Sequence, residues 1–466
     1  MLMKLLLRGV GLAVVLFATG GSQGLVSAAE PASEPVSGDY QVWVNGVKAQ
    51  VYVARVQDPP WEKTRAKLDF GGNYSFTSFD LSGPAAIRII APEKSLAKTI
   101  IRPEHAKING LKQGEKELSF TIDQPVKLSI EPDGKNGPLL LFANPRPDYH
   151  YADGDKNVRY FGPGIHKPEG GRLTVGDNQI LFLAEGAVVK AGVTVSGNNA
   201  MVCGRGMLDG NEFVWGKGPP NMVRVSGSNV VIKDIILRGG ATWMMPLRDA
   251  SHVTIDNVKI LGGRAQNDDG INPCNAQDVV IRNCFIRTDD DCLALKGMQA
   301  NGRNVERITV ENCILWCDRA RVFLLGHESR AEYMCDLVFR DIDIIHYSPR
   351  GHCVFLLEPG EEMKLQNVLF ENIRIHGEGQ QEFLRLKPTV NQYMRKQVPG
   401  HIANVTFKNI TVTGQEGAYK IQLIGSDEQH GVSGVTMSGV SLIGNRLKSG
   451  AKNLEIGQWV ENVSIK

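Results

Sequence analysis

The chain has 466 residues, and its 52 basic and 50 acidic residues nearly cancel to a formal net charge of +2 at pH 7. This balance excludes a globally basic nucleic-acid-binding protein and gives no sign of an acidic tail. Hydrophobic residues make up 42% of the chain and 51 residues are glycine, which is typical of a soluble protein with many turns and short strands.

The first 29 residues have the pattern of a secretory signal peptide. Lys4 and Arg8 give a basic start, Val10–Thr19 is apolar, and residues 27–29 are the small residues of a cleavage site. The apolar run is shorter than a bilayer-spanning helix requires. We therefore expect a secreted or periplasmic protein that has no membrane anchor after signal cleavage.

Residues 30–145 contain short runs in which apolar and polar residues alternate. Examples are Tyr40–Val44, Ala86–Ile90 and Val126–Ile130, and proline and glycine separate them. This pattern predicts a small β-sandwich domain.

From about Tyr160 the sequence repeats a short Val/Ile-rich strand that ends in Asn or Asp. The repeat interval runs from 23 residues (Asp234 to Asn257) to 37 residues (Asn372 to Asn409). Periods of this length in strand-only repeats indicate a parallel β-helix, here over residues 146–466. Stacked Asn side chains at the same turn of each coil would form an amide ladder, which an antiparallel sandwich would not need.

All eight cysteines lie in the repeat region. Cys284 and Cys313 each follow a ladder asparagine, a pattern that suits small apolar residues inside a coil, so we expect mostly free, buried thiols. The sequence has no CxxC motif and its histidines are scattered, so it predicts no metal and no cofactor.

Two acidic clusters follow one another in the repeat, at 267–270 (Asn-Asp-Asp-Gly) and at 289–292 (Asp-Asp-Asp-Cys). The repeat register places Asp269 over Asp291 on neighbouring coils. Crowded carboxylates repel one another, which raises the pKa of one and keeps it protonated. An inverting glycosidase needs such a proton donor and a second carboxylate that activates water. The structural alternative is a strand-capping turn or a Ca²⁺ site.

Extending the register predicts two vertical columns of side chains across five coils. An aromatic ring at the top suits stacking on a sugar, and Lys296 or an arginine suits a polar or anionic substituent. Taken alone, Trp243 fits core packing as well as sugar stacking, and His352 fits a structural role better than a catalytic one. One column reads Trp243, Asp269, Asp291, Ala320, His352, and its neighbour reads Thr242, Asp268, Asp290, Arg319, Gly351.

The motif Asn267-Asp268-Asp269-Gly270 resembles the Asn-Thr-Asp-Gly motif of the polygalacturonase family of glycoside hydrolases (family 28). Asp290-Asp291-Cys292 resembles the Asp-Asp-Cys motif of that family. The resemblance implies a right-handed β-helix in which Asp290 is the general acid, while Asp269 and Asp291 activate the attacking water. It makes Asp268 and Asp289 non-catalytic neighbours.

The N-terminal part resembles a second family of β-helix enzymes, the dextranase/isopullulanase family (family 49). The β-sandwich before the helix, Tyr160–Gly164 and Leu183–Lys190 are similar to that family.

The chain departs from the polygalacturonase pattern on the coil after the acids. That family has Gly-His-Gly there, whereas the register gives Arg319-Ala320-Arg321. Gly351-His352-Cys353 resembles the motif one coil later, and Gly326-His327-Glu328 is a second candidate. Arg385-Leu386-Lys387 resembles the family's uronate-binding Arg-Ile-Lys, also displaced by a coil. The predicted substrate contacts are Trp243, Asp268, Lys296, Arg319, Arg321, His352, Arg385 and Lys387.

The sequence therefore predicts an exported, inverting glycoside hydrolase that cleaves α-glycosidic bonds in a polysaccharide or its oligosaccharides. Acidic and neutral glycans both remain open. A β-helix polysaccharide lyase, which uses acid-bound Ca²⁺ and an Arg or Lys base, predicts a product that absorbs ultraviolet light. A non-catalytic glycan-binding solenoid predicts binding without release of reducing ends.

Overall fold

The computed structural model describes residues 34, 36–58, 70–217, 221–299, 302–348 and 352–466. The predicted signal peptide lies outside the described residues. Strands and turns account for nearly all of the described chain, with one 3₁₀ turn at Glu169–Gly171. None of its described helices has the length and hydropathy needed to cross a membrane.

The first unit consists of two five-stranded sheets. Alternation along Ala85–Ile90 turns Ile87 and Ile89 into the space between the sheets, as the sequence pattern predicts. One sheet has the spatial order Val47–Ala49, Gln41–Val44, Ala85–Ile90, Glu117–Ile122, Asn109–Gln113. The other has the order Tyr52–Ala54, Tyr74–Asp80, Leu139–Asn144, Val126–Glu131, Ile100–Arg102.

The second unit is a parallel β-helix with three faces. Strands of the first face are Val158–Phe161, Ile180–Leu183, Met201–Gly204, Ser228–Lys233, Ser251–Asp256, Gln277–Arg282, Val305–Glu311, Tyr333–His346, Lys364–Glu378, His401–Gln415, Val432–Ser438, Val460–Glu461 and Ser464–Ile465. Strands of the second face are Gly164–His166, Ala187–Val189, Met207–Asp209, Ile236–Arg238, Lys259–Leu261, Phe285–Thr288, Ile314–Cys317, Ser441–Leu442 and Asn445–Arg446. Strands of the third face are Arg172–Val175, Gly192–Val195, Val223–Val225, Met245–Arg248, Ile271–Cys274, Leu293–Gly297, Phe323–Ser329, Phe355–Leu357, Glu382–Leu386, Lys420–Leu423 and Leu454–Ile456.

The predicted side-chain ladder is present at the bend between the first and second faces. Asn312 Nδ2 donates to Asn283 Oδ1 at 2.7 Å, and Asn409 Nδ2 donates to Asn372 Oδ1 at 3.0 Å. Each of these asparagines has a φ between 50° and 56°, a left-handed conformation that asparagine tolerates better than most residues. These asparagines therefore both turn the chain and link adjacent coils.

Val, Ile, Leu and Phe from all three faces fill the inside of the β-helix. All eight cysteines are free and buried, which confirms the prediction of structural thiols. The last sandwich strand ends at Asn144 and the first coil begins at Val158, so the predicted domain boundary falls between them.

The sandwich packs on the second face of the β-helix, and its contacts include the coils that bear the acidic clusters. Tyr74 and Phe142 belong to one apolar cluster with Phe285 and Trp316. Tyr74 Oη donates to Gly262 O at 2.9 Å. Arg287 donates to Phe70 O at 2.8 Å, and its guanidinium lies 4.3 Å from the centre of the Tyr74 ring.

Candidate active site

Strand pairing on the third face fixes which acids are stacked. Ile271 pairs with Leu293, which places Asp269 beside Asp291 and Asp268 beside Asp290, as predicted. Met245 pairs with Ile271, so Trp243 precedes Asp269 in the column, also as predicted.

The predicted register one coil later is wrong by one residue. Leu295 pairs with Leu325 rather than Leu324, and the register then shifts at Gly297, which pairs with Ser329. The prediction had matched Gly297 to Gly326, but Gly326 lies in this irregular stretch with a φ of 88°. The correct stacks therefore put Ala320 beside Asp290 and Arg321 beside Asp291, with His352 next to Ala320.

These columns open into a groove of about 590 Å³. That volume lies in the range of small-molecule sites in proteins. Seven of the predicted site residues line it: Trp243, Asp269, Asp290, Asp291, Lys296, Arg319 and Arg321. The other lining residues are Gln266, Asn267, Leu324, His327, Glu328, Asn391, Gln392 and Tyr393.

Asp268 does not reach the groove, and its prediction as a substrate contact is corrected. Its side chain is fully buried and accepts from the backbone N–H of Gly263 and of Asp289, both at 2.6 Å. A buried carboxylate that accepts two amides fixes the turns it joins. Asp268 therefore holds the two acidic coils together.

Close packing of these two coils also depends on Gly270. A Cβ atom at this position would lie 2.4 Å from the carbonyl oxygen of Cys292, closer than real contacts allow. The absence of a side chain at Gly270 therefore permits the close spacing of the two coils that carry the acidic clusters.

Asp269, Asp290 and Asp291 present their carboxylates to the groove from two adjacent coils, with 2%, 7% and 3% of their surface exposed. Asp269 Oδ2 accepts from Asn272 Nδ2 at 2.7 Å. Asp290 Oδ2 accepts from Asn267 Nδ2 at 3.2 Å and from the Arg319 guanidinium.

Burial and mutual repulsion change the protonation of this cluster. Burial, followed by the charge of Asp290, raises the pKa of Asp269 well above its ordinary value. The same two causes raise the pKa of Asp291 to about 6, although Arg321 and Lys296 oppose the shift. The groove thus combines two carboxyls whose pKa values are raised with a third carboxyl that is hydrogen-bonded to an arginine.

Basic side chains line the groove, and each contacts at least one acid. Lys296 Nζ lies 3.2 Å from Glu328 Oε1, 3.7 Å from Asp269 Oδ2 and 4.3 Å from the centre of the Trp243 ring. Burial lowers the pKa of Lys296, but the charges of Asp269 and Glu328 outweigh it and raise that pKa overall. Lys296 is therefore a fixed cation beneath the face of the indole ring.

Two buried polar atoms of the groove lining are left without hydrogen-bond partners among the described residues. These atoms are Arg321 Nε and Glu328 Oε2. Buried polar groups are normally paired, so the protein contacts of the groove lining leave these two atoms unsatisfied.

Three of the predicted substrate contacts are not among the groove-lining residues: His352, Arg385 and Lys387. His352 lies one coil beyond Ala320, and burial together with Arg321 and Arg319 lowers its pKa to about 4. It is a neutral, half-buried ring between arginines. Arg385 lies a further coil away, paired with Leu356.

The groove-lining histidine is His327, the second of the two candidates in the sequence. Its ring contacts Glu358 and lies 5.1 Å from the ring of Tyr393, and its carbonyl accepts from Asn391 Nδ2 at 2.8 Å. The sequence motif Gly326-His327-Glu328 had identified this position as a candidate, and Glu328 lines the groove as well. Asn391, Gln392 and Tyr393 come from a connecting segment that has no repeat pattern, and no sequence signal identifies them.

Comparisons with known proteins confirm the predicted resemblance. A family model described as "Glycosyl hydrolases family 28" matches residues 188–315, the part of the chain that contains both acidic motifs. "Exopolygalacturonase X-1" from Emericella nidulans is 24% identical over 246 residues, which are 49% of this chain and 49% of that protein. "Probable exopolygalacturonase X" from Aspergillus flavus is 23% identical over 386 residues, 77% of this chain and 78% of that protein. The chain spans about half the length of the first of these relatives.

Two solved structures share the architecture over nearly the whole chain. "Dex49A from Penicillium minioluteum" matches with a TM-score of 0.67 and 16% identity, over 94% of this chain and 95% of that one. The Yersinia enterocolitica family 28 exopolygalacturonase matches with a TM-score of 0.52 and 13% identity, over 91% and 93%. These likenesses and the strand pairing confirm the predicted fold, a right-handed parallel β-helix preceded by a β-sandwich.

Proposed function

We propose that this protein is an exported glycoside hydrolase that cleaves α-glycosidic bonds in a polysaccharide or its oligosaccharides with inversion at the anomeric carbon. The observation that carries the proposal is the meeting of three carboxylates, Asp269, Asp290 and Asp291, in one groove beside Trp243 and Lys296. Matches to a glycosyl hydrolase family model and to exopolygalacturonases support the reaction class.

In the proposed mechanism Asp290 protonates the leaving oxygen, while Asp269 and Asp291 together activate a water molecule on the opposite face of the sugar ring. These are the roles that the resemblance to polygalacturonases implies. Trp243 offers a ring face for a sugar, and its position above Lys296 fixes the orientation of that face.

The charges of the groove also support an exchange of roles. The Arg319 guanidinium occupies Oδ2 of Asp290, whereas burial raises the pKa of Asp269 well above its ordinary value and favours its protonated form. In this second assignment Asp269 is the acid and Asp290 activates water.

Aryl glycosides with an acidic leaving group distinguish the two assignments, because they need no proton donor. Loss of the true acid should leave their hydrolysis largely intact, whereas loss of the base should abolish it. We therefore expect Asp290→Asn to retain activity on a nitrophenyl glycoside and Asp269→Asn to lose it. The reverse pattern would establish the exchanged roles.

The function itself is tested with a panel of neutral and acidic α-linked polysaccharides and a reducing-end assay, followed by NMR of the first-formed anomer. We expect reducing ends and a product of inverted configuration. A product that absorbs ultraviolet light would indicate a lyase, and binding without reducing ends would indicate a non-catalytic solenoid. Asp278→Asn is the matched control, because Asp278 is a carboxylate that pairs with Arg307 outside the groove. This variant should release reducing ends like the wild type.

A further inference from the structure

Three side chains that could bind a metal ion lie close together on the coils that follow the groove. Glu362 lies in the turn before the strand Lys364–Glu378, His401 opens the next strand, and His430 precedes Val432–Ser438. The parallel register stacks the starts of these strands, since Lys364 pairs with His401 and Ile402 pairs with Val432. One ligand atom from each side chain lies within 4.8 Å of the other two.

Both imidazole rings direct Nε2 at the same carboxylate oxygen. Glu362 Oε2 lies 3.1 Å from His401 Nε2 and 3.3 Å from His430 Nε2. His430 Nδ1 lies 2.7 and 2.9 Å from the two oxygens of Asp427. A carboxylate accepts but does not donate, so His430 Nδ1 carries a hydrogen and donates it to Asp427, which leaves Nε2 as the ring nitrogen available to a metal ion beside Glu362.

We propose that Glu362, His401 and His430 bind a divalent transition-metal ion, with Zn²⁺ as the best chemical fit. Two imidazole nitrogens and one carboxylate oxygen leave a fourth tetrahedral position for water. Ca²⁺ and Mg²⁺ prefer oxygen ligands throughout and do not match this set. Asp427 has the role of the carboxylate that typically orients a metal-bound histidine through its second ring nitrogen.

Solvent can reach the site, and its histidines are held in place. The Glu362 side chain is 52% exposed, while the His401 and His430 side chains are 33% and 7% exposed. An ion can therefore enter from the surface and meet ligands that the stacked coils already position.

The site lies at the base of the segment that supplies Asn391 and Tyr393 to the groove. Backbone N–H groups of Glu361 and Glu362 donate to Val398 O at 2.7 Å and to Pro399 O at 3.0 Å. A metal that joins Glu362 to His401 therefore fastens both sides of the point where this segment returns to the β-helix. The inference does not depend on the proposed enzymatic reaction.

The test titrates the metal-free full-length protein with Zn²⁺ and measures heat of binding and thermal unfolding. We expect one equivalent of Zn²⁺ to bind and to raise the unfolding midpoint, because an ion that binds the folded state stabilises it. His401→Ala and Glu362→Gln should both abolish that tight binding. Asp427→Asn should weaken it about 10- to 100-fold, the range expected for loss of an orienting partner.

His105→Ala is the matched control, since His105 is an exposed histidine 3.4 Å from a carboxylate of Asp343 and should not affect binding. Glu362→Gln alters a half-exposed side chain and keeps the test decisive if His401→Ala fails to fold. No binding by the wild type, or equal binding by wild type and Glu362→Gln, would overturn the proposal. Co²⁺ in place of Zn²⁺ should give visible absorption bands that Glu362→Gln loses.

Discussion

Arg319 donates a charge-assisted hydrogen bond to Oδ2 of Asp290, the carboxyl that the proposed mechanism uses as its proton donor. A guanidinium in this position occupies the carboxyl oxygen that a leaving group would have to approach. Substrate must therefore separate the two groups before Asp290 can act as an acid. Ala320, whose methyl side chain cannot form a hydrogen bond, is the residue stacked beside this carboxyl.

Removal of Arg319 tests this relationship. The charge of Asp290 raises the pKa of both Asp269 and Asp291, and Arg319 offsets that charge. Loss of Arg319 should raise these two pKa values further, so the acid limb of the pH profile, which reports the water-activating carboxyls, should move up by roughly 1 unit in Arg319→Ala. The measurement is kcat/KM against pH. Arg307→Ala, which removes an arginine paired with Asp278 outside the groove, is the control and should leave both limbs in place. An unchanged acid limb in Arg319→Ala would mean that this arginine does not offset the charge of Asp290.

Substitution of the proposed acid should lower turnover while the fold remains. We expect Asp290→Asn to reduce kcat on a polysaccharide by about 10²- to 10⁴-fold, the usual contribution of general acid catalysis. Far-ultraviolet circular dichroism and the unfolding midpoint report whether the fold is retained. Wild-type turnover by a folded Asp290→Asn would remove this residue from the mechanism.

Asp291 should reduce stability at neutral pH. Its pKa rises from an ordinary 3.8 to about 6 in the fold, so its contribution to stability is present below about pH 4 and lost as pH rises through about 6. By the usual conversion this loss amounts to about 3 kcal/mol. We therefore expect Asp291→Asn to be more stable than the wild type at pH 8, with a smaller difference at pH 4.

Denaturant unfolding at the two pH values measures this effect. Asp278 provides a control of opposite sign, because its hydrogen bond with Arg307 lowers its pKa. Asp278→Asn should lose stability above pH 4 rather than gain it. If Asp291→Asn were less stable than the wild type at pH 8, the electrostatic account of the acid cluster would be wrong.

Trp243 should contribute to substrate affinity more than to chemistry. We expect Trp243→Ala to raise KM about tenfold, since an aromatic contact is worth about 1 kcal/mol and the ring also orients Lys296. Trp243→Phe should recover part of the loss because it keeps a ring face. Trp43→Ala is the control, because Trp43 also packs against a cation, Arg88 at 5.0 Å, but lies on the sandwich. A change in kcat alone would argue against a platform role.

The groove charges predict a preference between substrate classes. Four lining acids, Asp269, Asp290, Asp291 and Glu328, face three lining bases, Lys296, Arg319 and Arg321, and each base contacts an acid. Basic groups that are already neutralised have little charge left for the carboxylates of a polyuronide. We expect kcat/KM to be higher on a neutral α-glucan than on polygalacturonate at the same ionic strength. The opposite order would show that substrate displaces the internal ion pairs.

The repeat pattern was sufficient to predict the β-helix, because an Asx at each bend and an apolar strand before it are imposed by the backbone of every coil. The stacking of Asp269 on Asp291 followed from the same register. Prediction failed at the next coil, where Gly326 lies in an irregular stretch of strand that a match based on glycine does not reveal. Arg385 and Lys387 are also not among the residues that line the groove, since a motif match gives no information on which coil faces it.

Asn391 and Tyr393 were beyond prediction for a different reason. Their segment has no periodicity, and its position depends on tertiary contacts such as that between Asn391 and the carbonyl of His327. The ion pairs of Arg319 and Lys296 could not be predicted either, because a strand register does not specify the directions of side chains.

The contact between the sandwich and the acidic coils makes the two units depend on each other. Tyr74 and Phe70 bind the backbone of Gly262 and the side chain of Arg287, which lie a few residues before the two acidic turns. Arg287 is fully buried and also pairs with Asp318 at 3.0 Å, so removal of the sandwich would expose a buried ion pair behind the groove. The N-terminal domain is thus structurally coupled to the β-helix rather than freely detachable from it. The two units should unfold in one cooperative transition, and a β-helix expressed alone would lack the rear support of its acidic turns.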